Sequence, residues 1–366
     1  MSQQKVLENW LAGINEIGPV KAKVLLDAFG CEEGIWNATK GELEKLEKIN
    51  EKDIAALLDE KRKVVVAEEY EKLSQKGIRI VSIHDEDYPE SLRVIDKMPY
   101  ALYVRGALPD VHKASIAIVG ARTCTPYGRE IASWFGSELS KAGVQVISGM
   151  AYGIDSVAHN AALEGKTPTF AVLGSGIDVC YPKENFNLYM EICKQGGVIS
   201  EYGLGVPGKA FQFPMRNRII SGLCDGVLVV EARKRSGSLI TADFALEHGK
   251  SVFALPGRIG DVFSEGCLNL IKQGAEPVTE PGDILKSFQM EQIVRGKMIN
   301  AEPCELDTPE KILYASLSLE PKHIETIVEE TGFLVTECLA LLLKMELDGF
   351  VNQTSQNWYT RKIIEG

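Results

Sequence analysis

Between residues 114 and 285 the chain alternates short, nearly continuous apolar runs with stretches in which apolar residues recur at helical spacing. The apolar runs read SIAIVG, VQVISG, TFAVLGSG, GVISEY, GVLVVEA and SVFALPG. Runs of this length without polar alternation are typical of parallel strands that helices cover on both faces. The pattern predicts an α/β domain with an extended Rossmann-like, doubly wound, mostly parallel sheet. Ligands of such sheets bind beyond the carboxyl ends of the strands.

Helical spacing also dominates the first 63 residues, where the stretches IGPVKAK and KINEKD interrupt it. This predicts short helices joined by tight turns, in a small domain at residues 1–63 that resembles a helix-hairpin-helix or SAM-like domain. Gly18, Pro19 and Val20 stand where such a hairpin has Gly-x-Gly, so the second glycine, whose amide would approach a phosphate, is missing. We therefore expect this domain to pack or to bind a partner rather than DNA.

The remaining segments set the predicted domain boundaries. Residues 64–111 show a helical pattern followed by strand and turn signals, and we interpret them as an extension of the sheet, so that the central domain covers residues 64–290. A polar linker at 291–306 follows. Residues 307–366 show three helical patterns and then a two-stranded wing, GFVNQTSQNWYTRK, which predicts a winged-helix domain.

The recognition helix of this winged-helix domain is predicted at LVTECLALLLKMELDG. Lys344 is its only basic residue, beside Glu337 and Glu346. Helices that read a DNA groove present arginine, lysine and polar side chains, so this composition favours contact with a protein.

Charge and composition narrow the class of protein. A formal net charge of -11 opposes indiscriminate binding to nucleic acid but permits a small basic groove on an acidic body. The chain contains no apolar run of about 18 residues and its first residues lack a secretory pattern, so we expect a cytoplasmic protein without membrane contact. Eight cysteines without a C-x-x-C pair, and histidines without zinc-ligand spacing, predict free thiols and no metal.

Small and basic residues follow the first two predicted strands. After the first strand, in VGARTCTPYG, Gly120 permits a tight turn from which Arg122 projects; the G-x-G-x-x-G dinucleotide fingerprint is missing there. After the second strand, SGMAYGID supplies small residues that let a ligand approach the backbone. Asp155 in this stretch is expected to cap the following helix, with His159 packed on the same helix.

Two more strand ends offer groups that suit an anion. Gly174, Ser175 and Gly176 after the third strand are expected to expose backbone amides. After the fifth strand, ARKRSGSLITA places a basic run at 233–235 directly before a predicted helix start, and helix N-termini bind phosphate. Each loop alone also fits a structural role in turning the chain. Their convergence on one edge of the sheet predicts a phosphate-binding ridge.

The stretch FPMRNRIISGL, residues 213 to 223, places two arginines and an amide before a buried helix. Arg216 and Arg218 are two residues apart, so one is expected to face a phosphate while the other braces a loop or pairs with a carboxylate such as Glu201 or Glu231. Asn217 is suited to a base edge or a helix cap, and Phe213 offers a stacking face.

These motifs, in order and at consecutive strand ends, resemble the bacterial DNA-processing protein A family, DprA, also called Smf. The resemblance implies a protein that binds and protects single-stranded DNA, forms a homodimer and loads RecA recombinase in natural transformation, without catalysis and without a cofactor. Ala121 stands where most members have Ser or Thr. Carried over by motif, the single-stranded DNA contacts are Gly120, Arg122, Ser148, Gly149, Met150, Ala151, Gly153, Ser175, Gly176, Phe213, Arg216, Asn217, Arg218 and Ser238.

Two alternative functions share this fold. One is a nucleotide-binding enzyme of the lysine-decarboxylase-like Rossmann group, which uses a P-G-G-x-G-T loop; the corresponding helix start here reads SGSLIT. The other is a small-ligand sensor, whose binding would not depend on the length of an oligonucleotide. A titration with single-stranded oligomers against mononucleotides and dinucleotides separates the three.

Overall fold

The computed structural model describes residues 3–290 and 307–362 of the chain. Its N-terminal part is helical, as the spacing predicts. The helices are α1 (Gln3–Ala12), α2 (Pro19–Phe29), α3 (Glu32–Trp36), α4 (Lys40–Leu43), α5 (Glu51–Leu57) and α6 (Glu60–Gln75). Local signals start several of them: Pro19 occupies the first turn of α2, and Asn50 accepts hydrogen bonds from the amides of Lys52 and Asp53 at the start of α5.

The N-terminal helices share a hydrophobic core with one edge of the sheet. Trp10 and Leu25 are fully buried in a cluster that also contains Tyr103 and Tyr189 from the central part of the chain. Helix α6 runs through the predicted boundary between residues 63 and 64. The division into domains stays a prediction, but burial joins these helices to the sheet.

Nine strands form one sheet. They are β1 (Ile78–Ser82), β2 (Ala101–Gly106), β3 (Ser115–Val119), β4 (Gln145–Ser148), β5 (Thr169–Leu173), β6 (Gly197–Ser200), β7 (Gly226–Val229), β8 (Ser251–Ala254) and β9 (Glu276–Pro277). Their spatial order is β1-β2-β6-β5-β4-β3-β7-β8-β9. The six predicted runs are β3 to β8 and pair in parallel, while β1 and β2 add an antiparallel edge. The doubly wound prediction is confirmed.

Helices cover both faces of this sheet. They are α7 (Glu90–Arg93), α8 (Pro126–Lys141), α9 (Ile154–Leu163), α10 (Phe186–Gln195), α11 (Gln212–Leu223), α12 (Gly237–Glu247), α13 (Glu265–Lys272) and α14 (Pro281–Ser287), with a 3-10 turn at Lys183–Asn185. Helices α11 and α12 pack on one face through Ile219, Ile220 and Ala242. Helices α8 and α9 pack on the other through Phe135 and Ala158. The strands are therefore buried on both sides, which explains their continuous apolar runs.

The C-terminal part has its own core and the winged-helix topology. Its elements are α15 (Thr308–Ser316), β10 (Lys322–His323), α16 (Ile324–Thr331), α17 (Val335–Leu347), β11 (Val351–Ser355) and β12 (Trp358–Arg361). The strands form a sheet of order β10-β12-β11, packed on the helices through Leu313, Ile327, Leu342 and Val351. This prediction is confirmed. The predicted linker at 291–306 lies outside the described residues.

Two further expectations concern membranes and metals. Within residues 3–290 and 307–362 no helix has both the length and the apolar character needed to cross a membrane. In the same ranges no three His, Cys, Asp or Glu side chains gather in a group that would suit a metal ion. The cysteines described there are free thiols.

Candidate functional site

A cavity of about 430 Å³ opens at the carboxyl ends of β3 and β7. The chain places β4, β5 and β6 on one side of β3 and β7, β8 and β9 on the other, so the order of the strands reverses at this point. Ligands of open α/β sheets bind at such a switch point. The loops after β3 and β7, the first turns of α11 and the start of α12 form its walls.

The structure brings half of the predicted contact residues together in this cavity. Its walls include Gly120, Arg122, Ala151, Phe213, Arg216, Asn217 and Ser238. The predicted residues outside its lining are Ser148, Gly149, Met150, Gly153, Ser175, Gly176 and Arg218. Direct contact of this second group with DNA stays a prediction. Most of these residues belong to the two loops next to the cavity, the loops after β4 and β5, and help to hold their shape.

Hydrogen bonds within the protein already engage several polar groups of this second set. The Ser148 hydroxyl donates to the Ile118 carbonyl at 2.7 Å and ties β4 to β3. The Ser175 hydroxyl donates to the Val179 carbonyl at 2.8 Å, within the loop after β5. The amide of Gly176 donates to the carbonyl of Val206 at 2.7 Å, so it is already paired.

The cavity is basic although the protein is acidic. Of the described residues that line it, four are arginines, at positions 122, 216, 233 and 235, and one, Asp155, is acidic. Arg122, Arg233 and Arg235 are exposed at its mouth. A concave wall that carries one sign of charge concentrates an anionic ligand. The arrangement suits a phosphate chain.

The family resemblance omitted part of this wall. Arg233 and Arg235 belong to the basic run that the sequence placed before a helix, and that run was the signal that could have added them to the predicted site. Phe263 comes from the loop after β8, where no motif marked it. The Arg233 guanidinium lies 4.7 Å from the centre of the Phe263 ring, which holds it at the cavity.

Arg216 forms the floor of the cavity. Its side chain is buried, and Nη1 donates to the carbonyls of Gly149, at 2.8 Å, and of Val172. Nε donates to the Asn217 side chain at 3.2 Å. A Cβ on Gly149 would lie 2.5 Å from Nη1, so the glycine makes room for the guanidinium. Arg216 therefore positions the loop after β4.

Asp155 organises the same loop from its other side. It does not cap α9 as expected: it lies in the first turn of that helix, and its carboxylate accepts the amides of Gly149 at 3.1 Å and Ala151 at 3.4 Å. Burial raises the pKa of the Asp155 carboxyl, and the charge of Arg216 opposes this rise. Burial also lowers the pKa of Arg216, to about 10, against the attraction of Asp155. The two groups stabilise each other's charged forms.

Gly153 is the N-cap of α9 and needs to be glycine. Its φ of 76° lies in the left-handed region. A Cβ there would also lie 2.3 Å from the carbonyl oxygen of Ala121 and 2.5 Å from that of Arg122. Any side chain at this position would push the Arg122 loop away from the sheet. This explains why a glycine stands at position 153 without requiring contact between Gly153 and a ligand.

His159 has a packing role, as expected. It is fully buried on α9, and Nδ1 lies 2.7 Å from the Thr169 hydroxyl. Burial lowers its pKa to about 3, so the imidazole is neutral at physiological pH. It does not line the cavity.

Arg218 pairs with a carboxylate, which is one of the two roles that the sequence left open for the arginines of α11. It is 1% exposed, and Nη2 lies 2.7 Å from both carboxylate oxygens of Glu201. Glu231, the other carboxylate considered as a partner, instead accepts the amide of Thr125 at 2.9 Å and its hydroxyl. Asn217 donates to the carbonyl of Gly237 at 3.2 Å and so links α11 to the start of α12.

The exposed Arg122 and the half-buried Phe213 lie next to each other in the wall of the cavity. The Arg122 guanidinium lies 5.6 Å from the centre of the Phe213 ring, within the range of a cation–π contact. The ring also packs on Gly174, where a Cβ would lie 2.8 Å from it. With the Arg122 guanidinium beside the Phe213 ring, the cavity can bind the phosphate of a nucleotide through the cation and stack its base on the ring.

Comparisons with known proteins agree on one family. A model described as DNA recombination-mediator protein A matches residues 79–289, and one described as the DprA winged helix domain matches residues 300–357. Protein Smf of Escherichia coli (strain K12) is 41% identical to this chain over 285 residues, which are 76% of each protein.

Two solved structures are similar to this fold. The X-ray structure of DNA processing protein A from Streptococcus pneumoniae matches with a TM-score of 0.65 and 34% identity, covering 78% of this chain and 98% of that one. DNA processing protein A from Helicobacter pylori, whose structure is described for its single-stranded DNA binding mode, matches with a TM-score of 0.53 and 28% identity. That match covers 59% of this chain and 97% of the other.

Proposed function

Because the chain belongs to the DNA recombination-mediator protein A family, whose members are named DprA or Smf, we propose that it binds single-stranded DNA in the cavity at the centre of the sheet. The observation that carries the proposal is the basic cavity on an acidic protein, with the exposed Arg122 beside the half-buried ring of Phe213. The H. pylori relative, described by its single-stranded DNA binding mode, supports it.

The rest of the proposal concerns what binding achieves. We propose that the protein protects incoming single strands and loads RecA recombinase onto them during natural transformation, as a homodimer in the cytoplasm and without catalysis. Membership of the family supports these steps. Among the described residues that line the cavity, the one carboxylate, Asp155, already accepts the amides of Gly149 and Ala151, which does not favour a role as general base in hydrolysis.

The shape of the site favours single strands over duplex. Its amides and arginines lie within a recess between loops, whereas duplex readers present a helix or ribbon to a groove. A single strand can insert a nucleotide into such a recess and stack neighbouring bases on aromatic rings.

A titration tests the proposed function. We expect affinity to rise with the length of a single-stranded oligomer, to exceed that for duplex of equal length, and to exceed that for mononucleotides and dinucleotides, measured by fluorescence anisotropy. Equal affinity for a mononucleotide and a long oligomer would instead support the sensor, and nucleotide turnover would support the enzyme. Duplex binding as tight as single-strand binding would contradict the recessed site.

The winged-helix part is proposed to contact protein rather than DNA. Its helix α17 exposes Val335, Leu339, Leu343 and Leu347 along one face, and Lys344 is paired with Glu310 at 2.6 Å. An apolar face with no free cation does not attract phosphate.

Deleting residues 307–366 is therefore expected to leave single-strand affinity within about twofold of the full chain, since all lining residues of the cavity lie between positions 119 and 263. The deleted part has its own core, so the sheet keeps its packing. Anisotropy titrations of both proteins at one salt concentration measure this. A loss of single-strand affinity above tenfold would show that the winged-helix part contacts DNA.

A further inference from the structure

An aromatic stripe leads away from the cavity over the loops after β5 and β4. The Tyr181 ring lies 5.4 Å from the Phe213 ring, with 39° between their planes. Tyr181 is 48% exposed, and Tyr152, on the neighbouring loop, is 42% exposed. We call Tyr181 and Tyr152 the tyrosine stripe.

Hydrogen bonds hold the two loops of the stripe together. The Tyr152 hydroxyl donates to the Glu184 carboxylate. The Asn185 side chain donates to the Met150 carbonyl at 2.9 Å. The bond to Glu184 raises the pKa of the Tyr152 hydroxyl to about 12, so the hydroxyl stays protonated and keeps donating at physiological pH. Rings held in place before binding lose little entropy when a ligand stacks on them.

Neither tyrosine belongs to the hydrophobic cores of the sheet. Exposed rings that contribute no core packing, aligned with a ring that lines the site, are an expected feature of a surface for planar ligands. Nucleic-acid bases are such ligands, and stacking is indifferent to base identity because every base has a π-face.

We propose that the tyrosine stripe is a stacking subsite for the bases of nucleotides that lie beyond the cavity. The strand then continues from Arg122 over Phe213 to Tyr181 and Tyr152. This inference rests on the proposed function, because it assumes that single-stranded DNA occupies the cavity.

The charges around the stripe specify how the strand lies. Glu184 places a carboxylate at its far end, bonded to Tyr152, and this charge repels phosphate. Exposed arginines lie at the cavity mouth, at positions 122, 233 and 235, and the exposed Lys183 stands next to Glu184 on the loop of Tyr181. In the proposed path the bases stack on the tyrosines, while the phosphates turn to these cations or to solvent.

The test compares Tyr181→Leu with Tyr181→Phe in the full chain, using single-stranded oligothymidylates of increasing length. Tyr181→Leu is expected to lower affinity for long oligomers about tenfold, which is within the range for one stacked base. It should leave oligomers that fill only the cavity unchanged. Tyr181→Phe keeps the ring and should bind every length as the wild type does. The slope of log affinity against log salt should be the same in all three proteins, because no charge is lost.

Oligomers that lack bases at the positions beyond the cavity provide a second test of stacking. They should bind the wild type about tenfold more weakly than intact ones, and Tyr181→Leu should then cause no additional loss. Tyr152→Leu is expected to act on the longest oligomers alone, and it serves as a second variant if Tyr181→Leu does not fold.

Three results would overturn the inference while leaving single-strand binding intact. They are unchanged affinity of both leucine variants at every length, an equal loss at all lengths, and normal DNA binding combined with loss of self-association. The last result would make the stripe a protein surface. If the wild type binds no single-stranded oligomer, the proposed function itself is wrong.

Discussion

Replacing Arg216 by methionine is expected to lower the free energy of unfolding by about 3 to 5 kcal/mol. The guanidinium is buried and satisfies the carbonyls of Gly149 and Val172. Methionine keeps the apolar stem but removes these donors and leaves Asp155 without its nearby positive charge. A buried carboxylate that loses its opposite charge incurs most of the desolvation cost.

Urea denaturation with an unchanged m-value measures this effect. Arg129→Met is the matched control, because Arg129 is exposed on α8, and it should change stability by less than about 0.5 kcal/mol. Adding Asp155→Asn to Arg216→Met should recover part of the loss, since the amide removes the unpaired charge. If Arg216→Met lowers the free energy of unfolding by less than about 1 kcal/mol, the loop after β4 does not depend on Arg216.

Replacing Arg122 by alanine is expected to weaken single-strand binding about tenfold to a hundredfold, as for a hydrogen bond to a charged group. Arg122 is exposed at the cavity mouth beside Phe213. A lost phosphate contact should weaken binding of every sequence similarly and reduce the slope of log affinity against log salt by about 0.7. Arg122→Lys should fall between alanine and wild type, because it keeps the charge and loses the bidentate geometry.

The control for this experiment is Arg79→Ala, which removes one charge from edge strand β1. It should leave both affinity and salt slope unchanged. If Arg122→Ala lowers the melting temperature while the salt slope stays the same, Arg122 is a structural residue of its loop. A folded Arg122→Ala protein with unaltered affinity and slope would move the DNA path away from the centre of the sheet.

The fold was largely readable from local patterns. Strand β3 appeared as SIAIVG and is buried at every position, so its unbroken apolar run reflects cover on both faces. The start of α12 was predicted correctly, because Ser236 and the glycine after it carry a local capping signal. The edge between the N-terminal helices and the sheet was not readable, because it is an apolar contact between distant segments.

The candidate site was readable only as a set of loops. Small residues after the parallel strands pointed to the edge of the sheet at which the cavity opens, but most of them lie outside its lining. Asp155 illustrates the limit: its position beside a helix start suggested a cap, while its carboxylate binds amides of the preceding loop. Local sequence does not distinguish these two partners.

The sequence by itself determined the class of fold, the order of the strands along the chain and the edge of the sheet at which the cavity opens, because burial and turn chemistry act over a few neighbouring residues. The tertiary structure decided which arginines are engaged inside the protein and which remain exposed to a ligand. Arg216 meets Gly149, 67 residues away, and Arg218 meets Glu201, 17 residues away, while Arg122 meets only the face of Phe213 among the contacts described. The pairings of Arg216 and Arg218 follow from the spatial order of the strands, and the loss of either partner is costly because both guanidiniums are buried, whereas Arg122 stays exposed.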